Sequence, residues 1–387
     1  MIDTQRGLEA LVERALDADA VALDTEFVWE RTYYPRLGVV QLGLDHDDLH
    51  LLDAAALDLA PLGRLLEDER VVKILHDAEQ DLTILRRATG AYPRSVFDTQ
   101  LAAGFVGLPS TLSLGDLVAE VQGIHLPKTE SRTDWLRRPL SEKQRAYALD
   151  DVRYLPAVYR ALLDRARQRQ RMDWMREELA TYDDPDRYDD PDPRRQHLRV
   201  SGAGRLTGRQ RAVLRELAAW REEEARRQDR PRGHVVHDKV LGAVARRLPR
   251  TPNDLGGVRG LDDRSRRRYG EALVAAVARG LALPADEHPG RRPSLPNDDA
   301  FTARVNLALA ALTGTGLAEG IDPGLVATRA DVAALVEAFP EPDADGLALL
   351  QGWRRAFLGD ALLALLAGRR AVLHDPDTGL VHLSERR

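Results

Sequence analysis

The stretch VALDTEF, residues 21–27, combines a β-branched apolar run with two acidic residues two positions apart. Side chains alternate between the two faces of a strand, so Asp24 and Glu26 are expected to project from one face at its end. Two carboxylates in that arrangement can hold a metal ion, but a strand edge that runs into a polar loop has the same pattern. The stretch therefore predicts a strand, and a metal site only if further ligands join it.

Similar apolar runs follow the first one and extend the prediction to a sheet. They indicate strands at residues 39–44, 49–52 and 71–75. Helical periodicity indicates helices at residues 59–67, 78–88, 99–106, 114–122 and 141–170. Early strands in succession, followed by alternating strand and helix, are typical of a mixed sheet with helices on its faces. The first domain is therefore expected to be α/β.

Two later segments supply further acidic candidates. Asp81 lies in the first turns of a predicted helix, where the helix dipole alone would also favour an acid. Tyr147 and Asp151 are four residues apart on another predicted helix and share a face. Four carboxylates in one cleft repel each other unless cations neutralise them, and oxygen ligands favour Mg²⁺ or Mn²⁺. Two such ions can activate water and stabilise the leaving oxygen in phosphodiester hydrolysis, so nuclease chemistry is implied.

Tyr147 is expected to have a different role from that of the carboxylates. A free phenol has a pKa of about 10 and is a poor base at neutral pH. Deprotonation of water would therefore fall to the metal ions, and Tyr147 would orient the attacking water.

Four ordered segments resemble the ribonuclease D family of the DEDD exonuclease superfamily, in its variant with a tyrosine in the third motif. The segments are VALDTEFVWERTYYPRLGVVQL (21–42), KILHDAEQDL (73–82), FDTQLAA (97–103) and KTESRTDWLRRPLSEKQRAYALDDVRYL (128–155). The resemblance implies a ribonuclease-H-like fold and a catalytic set on matching positions, namely Asp24, Glu26, Asp81, Tyr147 and Asp151. Its Y-x-x-x-D spacing selects Asp151 and passes over the adjacent Asp150.

The same resemblance implies an activity. The expected reaction removes nucleotides from RNA 3′ ends as 5′-monophosphates, with two Mg²⁺ or Mn²⁺ ions held by the four carboxylates. The expected substrates are tRNA precursors or other structured RNAs. Three neighbours of the motifs are candidate substrate contacts: Phe27 by stacking on a base, and His76 and Gln80 by contacting phosphate or sugar. A core position for Phe27 and a scaffold position for His76 fit the sequence equally well.

Charge is distributed unevenly along the 387 residues. The whole chain has a net charge of −6, yet residues 201–283 carry 19 Lys and Arg against 10 Asp and Glu, a net charge of +9. These residues resemble the HRDC domain, a helical nucleic-acid-binding module, and residues 297–387 resemble a divergent second copy. Both are expected to be all-α. Two segments poor in apolar residues, 181–200 and 284–296, are predicted linkers, which leaves 1–180 as the exonuclease domain.

Composition narrows the remaining possibilities. The chain has no cysteine, so disulfides, thiolate zinc sites and iron–sulfur clusters are excluded. Charges interrupt the first 20 residues and the late apolar stretch 358–366 is short, so a cytoplasmic protein without membrane or obligate protein partner is expected. Two alternatives stay open: an exonuclease that prefers DNA, and a catalytically silent RNA-binding scaffold. Contacts to the ribose 2′-hydroxyl decide the first, and the sequence does not reveal them.

Overall fold

The computed structural model describes residues 1–127, 133–290, 296 and 298–386. Residues 128–132, which open the last of the four quoted segments, lie outside this description. The chain forms two compact units. The first contains Met1–Glu26, Leu37–Tyr188 and residues 298–386, and the second contains Phe27–Arg36 and residues 189–290.

A five-stranded mixed sheet lies at the centre of the first unit, as predicted. Its strands are β1 (Ala20–Val28), β2 (Arg36–Gly43), β3 (Leu49–Asp53), β4 (Val72–Leu75) and β5 (Val96–Asp98), in the order β3-β2-β1-β4-β5. Strand β4 is parallel to both β1 and β5, whereas β2 and β3 are antiparallel. Strand β5 was not predicted, because three residues are too few to show a period.

Within the described residues, eight helices belong to the nuclease part of this unit. They are α1 (Gln5–Leu16), α2 (Leu62–Glu67), α3 (Glu79–Thr89), α4 (Thr99–Phe105), α5 (Leu114–Gln122), α6 (Glu142–Arg153), α7 (Leu155–Gln168) and α8 (Met172–Leu179). The prediction of one continuous helix over 141–170 was wrong, because the chain breaks at Tyr154 between α6 and α7. Pro156 explains the break: proline lacks an N–H and is tolerated in the first turn of a helix but not in its interior.

Helix α6 begins at a capping box. The Ser141 hydroxyl accepts a hydrogen bond from the Gln144 backbone N–H at 3.2 Å, and the Gln144 side-chain oxygen accepts one from the Ser141 N–H at 3.0 Å. Two otherwise unpaired backbone donors are thereby satisfied. The capping box fixes the start of the helix that carries Tyr147 and Asp151.

The segment predicted as the first linker contains short helices along most of its length. It forms three 3₁₀ helices, Ala180–Asp183, Pro185–Arg187 and Pro193–Arg199. Tyr182 and Tyr188 are buried in the core of the first unit, where the Tyr182 hydroxyl donates to Asp98 at 2.6 Å. Composition predicts a linker here, because the segment cannot bury enough apolar surface alone, and in the structure its two tyrosine rings pack into the core of the first unit. The domain boundaries drawn from the sequence stay predictions.

The second unit is helical, as expected. Its helices are α9 (Gly208–Arg227), α10 (Arg232–Val235), α11 (Asp238–Arg247) and α12 (Asp263–Ala282). They enclose a core of their own in which Leu214, Leu217, Leu241 and Leu273 are buried. The Tyr33 hydroxyl donates to Glu222, which is fully buried and also accepts from Arg232, so residues 27–36 are part of this unit.

The region from residue 298 adds helices α13 (Asp299–Glu319), α14 (Pro323–Val326), α15 (Arg329–Ala338), α16 (Gly352–Arg354) and α17 (Asp360–Leu366) to the first unit. It ends in an antiparallel hairpin, β6 (Arg370–His374) with β7 (Val381–Glu385), so the all-α expectation was wrong here. The hairpin signal was present as two short alternating runs around the turn-forming Asp375–Gly379. That this region is a second HRDC copy stays a prediction.

No helix among the described residues has the length and apolarity needed to span a membrane.

Candidate active site

Three predicted carboxylates meet at the end of the central strand. Asp24 and Glu26 project from β1, Asp151 projects from α6, and one carboxylate oxygen of each lies within 4.8 Å of the others. All three side chains are half-buried. The structure therefore brings together residues that are more than 120 positions apart in the sequence.

Asp81 approaches the cluster from the helix that follows the neighbouring strand β4. It lies on α3, directly after β4, which pairs with β1 in parallel. The Thr25 hydroxyl donates a hydrogen bond to the Asp81 carboxylate, and Thr25 stands between Asp24 and Glu26 in β1. Asp81 is buried and close enough to raise the pKa values of Asp24, Glu26 and Asp151. It stands beside the three-residue cluster, outside the 4.8 Å group itself.

The four carboxylates lack compensating charge. In the described part of the chain, no lysine, arginine or histidine forms an ion pair with any of them. Burial, with added repulsion from Asp151 and Asp81, raises the pKa of Glu26 to about 9. Burial likewise raises the pKa values of Asp81 and Asp151 to about 7, and burial with repulsion from Asp81 raises that of Asp24 well above its usual range. A cluster in this state binds either protons or cations.

Tyr147 lies one turn before Asp151 on α6. Its ring centroid is 6.2 Å from that of Trp135, which is buried. Burial, followed by the negative charge of Asp151, raises the pKa of Tyr147 above the ordinary phenol value. The residue is therefore a phenol at neutral pH, able to donate a hydrogen bond but not to act as a base.

The three candidate substrate contacts have different surroundings. His76 Nδ1 lies 2.9 Å from Thr99 Oγ1 and its Nε2 lies 3.0 Å from the Leu112 carbonyl oxygen, so both ring nitrogens have partners within the fold. Phe27 is half-buried in β1 beside Glu26, and Gln80 is exposed in the first turn of α3. Contact with substrate stays a prediction for all three.

Asp98, an acid that holds the loop before Asp81 by hydrogen bonds, was not predicted as a site residue. It is 3% exposed and accepts hydrogen bonds from the backbone N–H groups of Asp77 at 3.1 Å and Ala78 at 3.0 Å. It also caps α4 by accepting from the Gln100 N–H at 2.8 Å. Asp followed by a helical run is a typical N-cap signal, so the capping role could have been found from FDTQ, but the bonds to the loop could not.

Gln41 was also missed. On β2, its side-chain nitrogen lies 3.4 Å from an Asp24 oxygen. The residue is fully buried, and its side-chain oxygen has no hydrogen-bond partner among the described residues. Gln41 is therefore a polar neighbour of the cluster on the side opposite β4 in the sheet order.

Two regions of the chain match models of known protein families. Residues 1–166 match the family model described as 3′-5′ exonuclease, and residues 210–277 match the HRDC domain. Ribonuclease D of Desulfotalea psychrophila is 39% identical over 363 residues, covering 93% of this chain and 96% of the relative. Ribonuclease D of Pseudomonas paraeruginosa is 38% identical over 351 residues, covering 89% and 92%.

A solved structure agrees along nearly the whole length. The crystal structure of Escherichia coli RNase D, described as an exoribonuclease involved in structured RNA processing, superposes with a TM-score of 0.85 at 32% identity. The match covers 95% of this chain and 98% of that one. With this level of identity and coverage, the chain belongs to the ribonuclease D family of 3′–5′ exoribonucleases.

Proposed function

We propose that this chain shortens RNA from the 3′ end by divalent-cation-dependent hydrolysis, releasing 5′-monophosphates, with Asp24, Glu26, Asp81 and Asp151 as the metal ligands. The observation that carries the proposal is the cluster itself: carboxylate oxygens of Asp24, Glu26 and Asp151 lie within 4.8 Å of one another without a compensating cation among the described side chains. Leaving such charges together is unfavourable unless the site binds positive ions.

The donor set fits hard cations. Asp24, Glu26, Asp81 and Asp151 offer only oxygen atoms, and the chain has no cysteine to favour a softer metal. We infer two Mg²⁺ or Mn²⁺ ions. When bound, two such ions lower the pKa of a water molecule and stabilise the leaving oxygen in phosphodiester cleavage.

The chain's own groups position the reactants. Tyr147, as a phenol, donates a hydrogen bond that orients the attacking water or a phosphate oxygen. Thr25 holds the Asp81 carboxylate by a hydrogen bond, and the α6 capping box fixes the helix from which Tyr147 and Asp151 project. Positioning by side chains that the fold already orders keeps the entropic cost of assembling the transition state low.

The proposal extends to the substrate class. Two observations support a structured RNA as the substrate. The solved relative is described as involved in structured RNA processing, and residues 201–283 carry a net charge of +9. Lys and Arg in such excess neutralise phosphates whatever the base sequence. We therefore infer tRNA precursors or other structured RNAs with free 3′ ends as substrates, in the cytoplasm.

End-labelled RNA tests the reaction directly. A single-stranded RNA labelled at its 5′ end should yield a ladder of progressively shorter products with Mg²⁺ or Mn²⁺, and the same RNA labelled at its 3′ end should release labelled mononucleotide first. Chelation with EDTA should stop both. Release of the 5′ label as mononucleotide, or turnover that is unchanged in EDTA, would contradict the proposal.

A matched DNA oligonucleotide separates the competing function. Comparable or faster digestion of DNA would favour a DNA-preferring exonuclease, the other enzyme that the carboxylate cluster permits. Absence of turnover on both substrates with either metal would leave the RNA-binding scaffold as the better account.

A further inference from the structure

The second unit contains a groove with a strongly basic wall. The groove has a volume of about 1170 Å³ and lies entirely among residues 196–260. We call it the basic groove, because four exposed cationic side chains line it: Arg199, Lys239, Arg246 and Arg259.

One face of α11 forms the floor of the basic groove. Lys239, Gly242, Ala243 and Arg246 line it, at the spacing of successive turns on one side of a helix. The opposite side of α11 is buried in the core of the unit. The Cα atoms of Lys239 and Arg246 are therefore about 10 Å apart along the helix axis, and the Arg246 guanidinium lies over Gly242.

The cations of the basic groove are available to a ligand. Within the described ranges, none of the four forms an ion pair. Two further arginines on the same wall differ, because Arg221 is paired with Asp238 at 2.6 Å and Arg232 with Glu222 at 2.5 Å. Arg221 and Arg232 therefore serve ion pairs within the unit, whereas the four exposed cations of the basic groove form none among the described residues.

We propose that the basic groove binds the sugar-phosphate backbone of the RNA substrate, through Arg199, Lys239, Arg246 and Arg259. This inference rests on the proposed function and adds the place at which the +9 module holds RNA. Phosphates recur along a strand and need cations at intervals, which the four exposed side chains of the basic groove supply.

A second basic surface offers a direct comparison. Arg264, Arg266, Arg267 and Arg268 cluster at the start of α12. Arg266 is paired with Asp263 at 2.9 Å and Arg268 donates to Gln228 at 2.8 Å, which leaves Arg264 and Arg267 as exposed charges outside the groove. A substitution of these two removes the same charge from the same unit and is a matched control.

The experiment measures equilibrium binding of a labelled RNA hairpin with a single-stranded 3′ tail, in EDTA, as a function of KCl concentration. Three full-length proteins are compared: wild type, the Lys239→Gln/Arg246→Gln double variant and the Arg264→Gln/Arg267→Gln control. The groove variant should bind roughly tenfold more weakly near 0.1 M salt, and the slope of log K against log salt should fall by about 1.4, because each lost phosphate contact on a single strand contributes about 0.7. The control should match the wild type.

The opposite result would overturn the proposal: wild-type affinity and slope in the groove variant, or the larger loss in the control. Thermal unfolding of all three proteins, followed by circular dichroism, should give the same midpoint, since the substituted side chains make no ion pair. If the groove double variant melts at a lower temperature, the Arg259→Gln variant replaces it in the binding measurement. Hydrolysis of the same RNA by the wild-type chain with Mg²⁺ tests the proposed function separately, so failure of one claim is distinguishable from failure of the other.

Discussion

At the scale of single residues, Asp150 and Asp151 show how the fold separates two identical side chains. Asp150 pairs with Arg153 at 3.1 Å, one turn along α6. Asp151 points instead toward Asp24 and Glu26, where burial raises its pKa to about 7. The helix rotates successive residues by about 100°, which is enough to place one carboxylate in the cluster and the next in a surface ion pair.

Replacement of Tyr147 by Phe tests the role of its hydroxyl. Tyr147→Phe keeps the ring that lies near Trp135 but removes the hydrogen-bond donor, so the rate of RNA hydrolysis should fall by about 10- to 100-fold while the fold is retained. Single-turnover kinetics with saturating Mn²⁺ provide the measurement. Full activity in this variant would show that the phenol does not orient a reacting group.

The raised pKa values predict how the stability of the metal-free protein changes with pH. Carboxyl groups titrate near pH 4 in the unfolded chain but near 7 for Asp81 and Asp151 and near 9 for Glu26 in the folded state. The folded state therefore holds more protons between these values, and the cluster's contribution to stability falls as pH rises. In EDTA, the melting temperature should decrease from pH 6 to pH 8.

Asp24→Asn is the matched variant for that measurement. It removes one of the repelling charges, so its melting temperature should decrease by a few degrees less than that of the wild type over the same pH range. Other titrating groups, such as the buried Lys73, are present in both proteins and cancel in the comparison. An equal decrease in the two proteins would show that the cluster is not strained by its own charge.

At the scale of elements, Asp98 connects the loop before α3 to the start of α4 and to Tyr182. Asp98→Ala should lower the free energy of unfolding by about 3 kcal/mol, because several buried donors lose their acceptor together. Urea denaturation measures this loss. Activity should fall as well, since the loop leads directly to Asp81; a stable variant with wild-type activity would contradict the assigned role.

The elements also show which parts of the site follow from sequence. Strand alternation placed Asp24 and Glu26 on one face, and helical spacing placed Tyr147 and Asp151 on another, because both patterns are local. The bonds of Asp98 to residues 20 and 21 positions earlier have no periodic signal and depend on parallel pairing of β4 with β5. The metal-ligand roles themselves stay predictions.

Helix and linker boundaries also depend on features that a local pattern does not contain. A periodic apolar pattern ran through 141–170, and only Pro156 marked the break between α6 and α7. In the 181–200 segment, composition predicted a linker, and the structure places Tyr182 and Tyr188 in the core of the first unit. Composition describes what a segment can bury alone, whereas the core of the first unit supplied the missing partner surface.

At the scale of the whole molecule, the C-terminal region completes the core of the first unit. Trp353 is 2% exposed, and its ring lies 5.0 Å from that of Phe105 and 5.8 Å from that of Trp174. The indole N–H donates to Glu178 at 2.8 Å. Residues that follow the second unit in the sequence therefore pack against helices α4 and α8.

Trp353→Ala should accordingly destabilise the nuclease part. We expect a loss of about 3–5 kcal/mol in the free energy of unfolding, typical of a large aromatic removed from a core. Leu307→Ala is the control, because Leu307 is 41% exposed and its removal should cost less than about 0.5 kcal/mol. Equal stability of the two variants in guanidinium denaturation would show that the region does not support the first unit.

The adjacent aspartates provide the most direct test of the carboxylate cluster as the catalytic metal site. Hydrolysis of 5′-labelled RNA with Mg²⁺ or Mn²⁺ is measured for wild type, Asp150→Asn and Asp151→Asn, which differ by one oxygen-to-nitrogen exchange at neighbouring positions. Asp150→Asn should stay within about threefold of wild type, and Asp151→Asn should lose at least about 100-fold. Wild-type hydrolysis by Asp151→Asn, or an equal loss in both variants, would contradict the account.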